Sequence, residues 1–493
     1  MRNSCLRIVK KKRLIWGTIL LYIVVYGIML VPHYSVDSYS VWNDLDELVW
    51  APLSSGRLFF ALWAMFFHWI NFNPVDHQWI GVIALILALA FAHITVYKSY
   101  SNIFNSKITV WKKGAVWCSI GVVFCNPFLA EWFYYVETAI VYATAVVFCA
   151  LAVKRLTFNT TKSWLLAFVY AVIAVNSYQA IISNFLILGA VYFLIENRFK
   201  LSVRSFFSIA GTVVVSAAAS ITALICTKVI PIMAGITPRF SQISVWDNIR
   251  YIISCQGILW KSGLRLMLEY WLVVALLICL VVIIVRLCAE KEWLGLLWTA
   301  IVLSGCYLSS FLVHYVNSSQ WMVPRSTVSF FCFVACLMIC AVWLWPDQNH
   351  NSVVVAGLTL VFLLGCSLQV FRVTLQQIET NHFDRDEMVQ IDQAIQKYEK
   401  ENNIQVTKCT LNWDQSITYV YSQITLAYGE INQRAFSVQW VALNAMEFYT
   451  GRRLEEIQAP EEIATEFQKQ NWTELNIEEQ LIFDGDTVHI GVY

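Results

Sequence analysis

Residues 10–31 read KKKRLIWGTILLYIVVYGIMLV: four consecutive cations, then eighteen residues without a charge. An apolar run of about 20 residues can cross the hydrocarbon core of a bilayer as a helix. Six Lys/Arg (Arg2, Arg7, Lys10, Lys11, Lys12 and Arg13) precede the run, and no small-residue cleavage site follows it. It therefore reads as a retained signal anchor with the N-terminus inside. Working outward, similar runs lie at 77–97, 114–130, 137–153, 163–177, 180–195, 206–227, 268–285, 294–313, 327–345 and 353–371. The expectation is an all-α polytopic membrane body of about eleven transmembrane helices. The runs at 163–177 and 180–195 are short and call for tilt or a partly buried hairpin.

Composition supports that class. Of 493 residues, 58% are hydrophobic and 14% charged, with a mean hydropathy of +0.58. A soluble chain is nearer one quarter charged, so a water-soluble enzyme, a secreted disulfide scaffold, a disordered regulator and a nucleic-acid binder are all disfavoured. Fifteen percent aromatic residues, with 21 Trp, fit interfacial belts. Thirteen of the 14 Cys lie before residue 372, largely inside apolar runs, where they behave as small hydrophobes. No zinc-type Cys/His spacing occurs, so no metal site is assigned.

Charge divides the chain. Residues 1–371 hold 25 Lys/Arg against 13 Asp/Glu, which is +12, whereas residues 372–493 hold 9 against 20, which is −11. With the N-terminus inside, the inside loops carry 18 Lys/Arg and the outside loops of the body 7, the sense of the positive-inside rule. An odd number of spans then places the acidic tail outside. The further apolar run 57–72 would reverse every later loop, Lys107, Lys112 and Lys113 included, if it crossed. With Arg57, His68, Trp69 and Asn71 in it, an amphipathic helix in the outer interface is expected instead. The predicted organisation is a membrane body at 1–371 and an acidic extracytoplasmic α/β domain at 372–493. In the body, the first outer loop and its interfacial helix span 32–76, and a long cationic outer loop spans 228–267. In the tail, Met388, Ile391, Ile395 and Tyr398 recur at helical spacing, strand-like alternation follows at 404–411, and Thr487–Tyr493 after Asp484-Gly485-Asp486 reads as a last strand.

Three groups of residues carry chemistry. The first outer loop holds Asp37, Asp44, Asp46 and Glu47, followed by Gly56-Arg57. A carboxylate at the outer face can act as general base for a sugar hydroxyl or as a metal ligand; the alternative is a solvated acidic loop. Second, Arg57, Arg239, Arg325 and other cations of the 228–267 loop sit on the side that the charge bias leaves poor in Lys/Arg. That suits a bidentate grip on phosphate, with lipid-headgroup anchoring or pairing to Asp247 and Glu269 as the alternative. Third, Glu131 and Glu137 bracket Trp132-Phe133-Tyr134-Tyr135, and Gln179 breaks an apolar run; such groups face a cavity or tie a hairpin. His93 and His314 read as satisfied packing residues.

The ordered set Val36-Asp37-Ser38-Tyr39, Ser55-Gly56-Arg57, Asn126-Pro127-Phe128-Leu129-Ala130-Glu131, Ser177-Tyr178-Gln179-Ala180 and Pro324-Arg325-Ser326 resembles the bacterial O-antigen glucosyltransferase family that produces serotype conversion. The resemblance covers roughly residues 30–400. The family's first outer loop often carries adjacent Asp-Asp; here Val36 takes the first place and Asp37 the second, leaving Asp44 or Asp46 as substitutes.

The resemblance implies a C-type glycosyltransferase (GT-C) fold in the bacterial cytoplasmic membrane, with an extracytoplasmic active site. It implies a polyprenyl-phosphate hexose as donor, glucose being the usual sugar, and a cell-envelope glycan such as O-antigen, lipopolysaccharide or wall glycan as acceptor. A donor synthase and a flippase are implied partners, with membrane lipids and no nucleic acid. No cofactor beyond the lipid-linked donor is expected, and a divalent metal is left open. On this reading Asp37 is general base, Arg57, Arg325 or Arg239 holds phosphate, and Glu131, Glu137 and Gln179 line the sugar site. Two rivals remain: a polymerase or ligase using a diphosphate-linked glycan, and a non-enzymatic lipid-linked glycan transporter. The lack of an internal repeat and the gathering of charge at span ends weigh against the transporter.

Overall fold

The computed structural model describes residues 2–104, 108–238, 244–317, 320–347, 349–414 and 418–493. Two residues used above, Lys107 and Arg239, lie outside the described residues. Helix α1 (Arg2–Tyr26) is followed by three short helices, α2 (Val36–Asn43), α3 (Leu45–Ser54) and α4 (Leu58–Trp69). Then come α5 (Gln78–Ser101), α6 (Val110–Phe124), α7 (Pro127–Tyr134), α8 (Ala139–Leu156), α9 (Thr161–Ser177), α10 (Ile181–Glu196) and α11 (Val203–Ala234). The bundle closes with α12 (Val245–Ser262), α13 (Trp271–Ala289), α14 (Trp293–Ser309), α15 (Leu312–Tyr315), α16 (Ser329–Leu344) and α17 (Asn349–Asn402).

Every expected span lies on one or more of these helices, and the chain is mostly helical. Among the described residues, six helices are long and apolar enough to cross a membrane, or seven when the pair α6 and α7, bent by 43°, counts as one span. The expected count of eleven is larger because α9, α10, α14 and α16 are 16 or 17 residues long. At 1.5 Å per residue they reach only about 25 Å, short of a hydrocarbon core of about 30 Å. The run 57–72 forms the 12-residue α4, too short to cross, with Phe60, Ala61, Ala64 and Phe67 packed inward and Leu62, Met65, Phe66 and Trp69 outward.

Asn126 explains the bend in the 114–130 run. Its Nδ2 donates to the carbonyls of Val122 (3.1 Å) and Val123 (3.0 Å), ending α6. Its Oδ1 accepts from the N–H groups of Phe128 (3.2 Å) and Leu129 (3.3 Å), starting α7, whose first residue is Pro127. One buried side chain thus satisfies both helix ends at the break. His93 is a packing residue: it contacts the Tyr22 hydroxyl through Nδ1 (3.1 Å) and the Trp117 carbonyl through Nε2 (3.1 Å).

Helix α17 is continuous across residues 371–372, so its apolar first part and polar second part are one rod of 54 residues. Beyond it lie β1 (Lys408–Trp413), α18 (Gln439–Thr450), β2 (Glu455–Glu456), α19 (Glu461–Gln468), α20 (Ile477–Gln480), β3 (Leu481–Asp484) and β4 (Thr487–Val492). The sheet order is β2-β1-β4-β3, with β1 parallel to both neighbours and β3 antiparallel to β4. Met388, Ile391 and Ile395 of α17 pack with Cys409, Leu411, Val488 and Ile490, and the same cluster takes in Val36 and Tyr39 of α2. Helix α2 is therefore held against the C-terminal unit, and Tyr39 and Tyr449 pair through their hydroxyls at 2.7 Å. Arg434, wholly buried, ties the unit's end, donating to the carbonyls of Thr418 and Tyr493 and pairing with Glu387 at 3.2 Å.

Candidate active site

Ser35 and Ser38 form a capping box at the start of α2: the Ser35 N–H donates to Ser38 Oγ (3.2 Å), and Ser38 Oγ donates to Glu137 (2.8 Å). That arrangement puts Asp37, half-buried, in the first turn of α2, where the helix N-terminus favours negative charge. Its charge acts on Glu131, Glu137, Arg325 and Glu430, so all five belong to one electrostatic neighbourhood.

Glu131 sits on α7, one turn past the Asn126 cap, and is wholly buried. Its carboxylate accepts from both the guanidinium and the backbone N–H of Arg325. The Trp132 indole N–H donates to the Arg325 carbonyl at 3.0 Å, so the Pro324–Ser326 turn is clamped through backbone and side chain alike. Arg325 also lies 4.6 Å over the Tyr135 ring and 2.8 Å from Glu430. Burial opposes the charge on Arg325, but Glu131 leads several groups that outweigh it, and the guanidinium is held above its ordinary value. His314 braces the turn from behind, with Nε2 3.2 Å from Thr327 Oγ1.

An aromatic wall completes the site. Trp132 stacks on Tyr142 at 4.9 Å, and Tyr178 meets Tyr142 edge-on at 4.9 Å. Arg57 lies 5.5 Å over Tyr178. Its position follows from Gly56, which has φ +65° and backs onto α11: a Cβ there would lie 2.2 Å from Thr227 Cα. Four carboxylates, two guanidiniums and stacked aromatic faces can accept a proton, hold an anion and cradle a sugar ring.

The expected residues divide clearly. Asp37, Arg57, Glu131, Glu137 and Arg325 come together. Asp44 instead caps α3, accepting from the Asp46 N–H at 2.9 Å. Asp46 pairs with His68 at 2.8 Å beside an open pocket of about 350 Å³ that Trp50 and Met65 also line. Gln179 is half-buried in the turn between α9 and α10, while its neighbour Tyr178 is the residue in the aromatic wall. Arg239 falls outside the described residues. Sequence reasoning passed over Ser38, Tyr142, Tyr178 and Glu430. Ser38 and Tyr178 stood inside quoted motifs, whereas Glu430 had no local signal. Among the described residues, no three His, Cys, Asp or Glu side chains are placed to share a metal ion.

A helical membrane bundle with this cluster at one end is the frame of a membrane glycosyltransferase once the family comparison is added. Residues 26–342, from the end of α1 through α16, match the model of the glucosyl transferase GtrII family. The chain belongs to that family, which is that of the O-antigen serotype-converting glucosyltransferases, and it is a membrane glucosyltransferase. Comparison with curated proteins and with solved structures returned no match.

Proposed function

We propose that the protein transfers a single glucose from a polyprenyl-phosphate sugar to a cell-envelope polysaccharide, such as O-antigen or a wall glycan. The site then faces the extracytoplasmic side of the bacterial cytoplasmic membrane, with the C-terminal unit over it. The observation that carries the reading is the convergence of Asp37 with the Arg325–Glu131 pair beneath an aromatic wall, inside the stretch matched by a glucosyltransferase family.

The chemistry is an inverting displacement. Asp37 takes the proton of an acceptor hydroxyl as its oxygen attacks the anomeric carbon. The bond from that carbon to the phosphate oxygen breaks, and the polyprenyl phosphate leaves with the electron pair. Charge grows on the phosphate, and a guanidinium fixed in advance stabilises it without reorganisation. Glu131 supplies that fixation for Arg325, and Arg57 is the second cation. Glu137 and Ser38 hold the first turn of α2, and hence Asp37, in place. An apolar cleft of about 320 Å³ between α13, α16 and α17, lined by Trp271, Met338, Trp345 and Phe362 among others, offers room for part of the lipid tail.

The test is transfer from a short-chain polyprenyl-phosphate glucose to purified envelope glycan by the native protein and Asp37→Asn. Loss of transfer in a normally folded Asp37→Asn is expected. Equal rates would remove Asp37 from the chemistry, and transfer only from a diphosphate-linked glycan would reassign the protein to a polymerase or ligase.

A further inference from the structure

Glu430 lies beyond the stretch that the family model covers, yet it reaches the centre of the site. The segment 424–432 leaves the C-terminal unit and lies against the bundle, with Leu426 and Ile431 buried in the bundle's apolar core. Gln376 Oε1 on α17 accepts from the N–H groups of Thr425 (3.1 Å) and Leu426 (2.7 Å). Gln377 Oε1 accepts from the Asn432 N–H at 2.9 Å. At the tip Gly429 has φ +64°, and a Cβ there would stand 2.8 Å from Val323 Cγ1. The tip is thus pressed onto the Val323–Arg325 turn, and Glu430 Oε2 is 2.8 Å from Arg325 Nη1.

Arg325 then faces Glu131 from α7 and Glu430 from the tail, with Asp37 on α2 in electrostatic reach of all three. Three ionised carboxylates around one guanidinium would leave two net negative charges where the Glu131 side chain is 1% and the Glu430 side chain 21% exposed. Removing that charge from water is expensive, and a proton on one carboxylate relieves it. Glu131 already accepts two N–H groups of Arg325, which holds it ionised, whereas Glu430 meets only one guanidinium nitrogen; burial first, then Asp37 and Glu131, push the Glu430 carboxyl up to about 9.

We propose that Glu430 works as a neutral carboxylic acid, donating its O–H to a phosphate oxygen of the donor beside Arg325. The phosphate is then gripped by groups from two separate parts of the chain, the helical bundle and the C-terminal unit. This rests on the polyprenyl-phosphate reading above. An ionised Glu430 would repel the phosphodiester and compete for Arg325, whereas the protonated acid is a donor that an anion welcomes. No proton leaves Glu430 in the displacement; the acceptor's proton goes to Asp37.

The alternative is an ion-pair latch that merely fastens the tail to the bundle, and Gln separates the two, because it keeps a donor but cannot form the ion pair. The experiment uses the full chain in detergent micelles and geranyl phosphate as probe, read by titration calorimetry, with thermal unfolding of each variant as a control on folding. Glu430→Gln should bind within about threefold of the native protein near pH 7, and Glu430→Ala about tenfold more weakly, the size of one hydrogen bond to a charged group. Native affinity should fall about tenfold towards pH 10 as Glu430 ionises, and Glu430→Gln should lose that fall. Equal weakening of Glu430→Gln and Glu430→Ala near pH 7 would overturn the proposal in favour of the latch. Binding unchanged in both variants would overturn it while leaving the donor reading intact. No binding by the native protein would overturn both.

Discussion

Replacing Arg325 by Met tests the centre of the site most directly. The Arg325 side chain is 18% exposed and that of Glu131 1%, so their pairing is made almost without water. Removing one member strands a buried carboxylate, which costs about 3–5 kcal/mol. The backbone N–H of Arg325 still reaches Glu131 in Arg325→Met and recovers about 1 kcal/mol. Glu131→Gln alone leaves the guanidinium facing Glu430 and Asp37 and should cost less. The double variant Glu131→Gln/Arg325→Met removes both charges and should be more stable than the sum of the singles by about 2 kcal/mol, a coupling within the range for groups in direct contact. Unfolding in mixed micelles, followed by tryptophan fluorescence, measures all three. Transfer activity should be lost wherever Arg325 is replaced. A native-like stability for Arg325→Met, or strict additivity in the double variant, would refute a dry ion pair at this position.

Two other perturbations probe the scaffold. Gly56→Ala forces Ala to φ +65°, costing about 1 kcal/mol, and drives its Cβ into the Cys226–Thr227 backbone. Folded yield and transfer should both drop sharply, and full transfer at normal yield would show that the Gly56-Arg57 turn does not rest on α11. His314 gives a pH dependence: burial lowers its imidazole to about 4. Because the unfolded chain takes up this proton near pH 6.5, the neutral folded form is favoured above about pH 6.5, and that margin is lost as pH falls towards 4. The stability difference between the native protein and His314→Gln should therefore shrink on acidification through that window, and a constant difference would show His314 to be in contact with water.

How far the sequence carried the structure depends on whether a feature is local. Apolar runs and a basic N-terminus are local, and each expected run lies on helix. Span length is set partly by tertiary packing, so apolarity alone marks α10 and α16 as spans while each holds only 16 residues. Asn126-Pro127 is a local cap signal, and it sits in the middle of a run that apolarity alone would treat as continuous. Asp37, Glu131 and Arg325 could be suspected from position along the chain. Their meeting could not, because it depends on contacts across 194 residues between Glu131 and Arg325. Asp44 and Asp46 show the limit of charge counting: both are acids in the right loop, and one caps a helix while the other pairs with a histidine. Glu430 was invisible, being one acid among the 20 of the acidic tail.

The long α17 explains how Asp37 and Glu430, from distant segments, keep a fixed spacing. Gln377 donates through Nε2 to the Tyr34 carbonyl at 2.8 Å and accepts through Oε1 from the Asn432 N–H at 2.9 Å. Tyr34 lies three residues before Asp37, and Asn432 two residues after Glu430. One turn further on, Asn381 Oδ1 accepts from the Tyr34 N–H at 2.9 Å and its Nδ2 reaches the Tyr39 hydroxyl at 3.2 Å. A single helical turn therefore grips both loops by their backbones, and a helix is rigid on the scale of one hydrogen bond. Placing these groups on a helix rather than on the loops themselves allows each loop to carry charged residues without a packed core of its own. The same rod leaves the bundle among Leu363, Cys366 and Val370, so the membrane body and the C-terminal unit share one reference axis at the site.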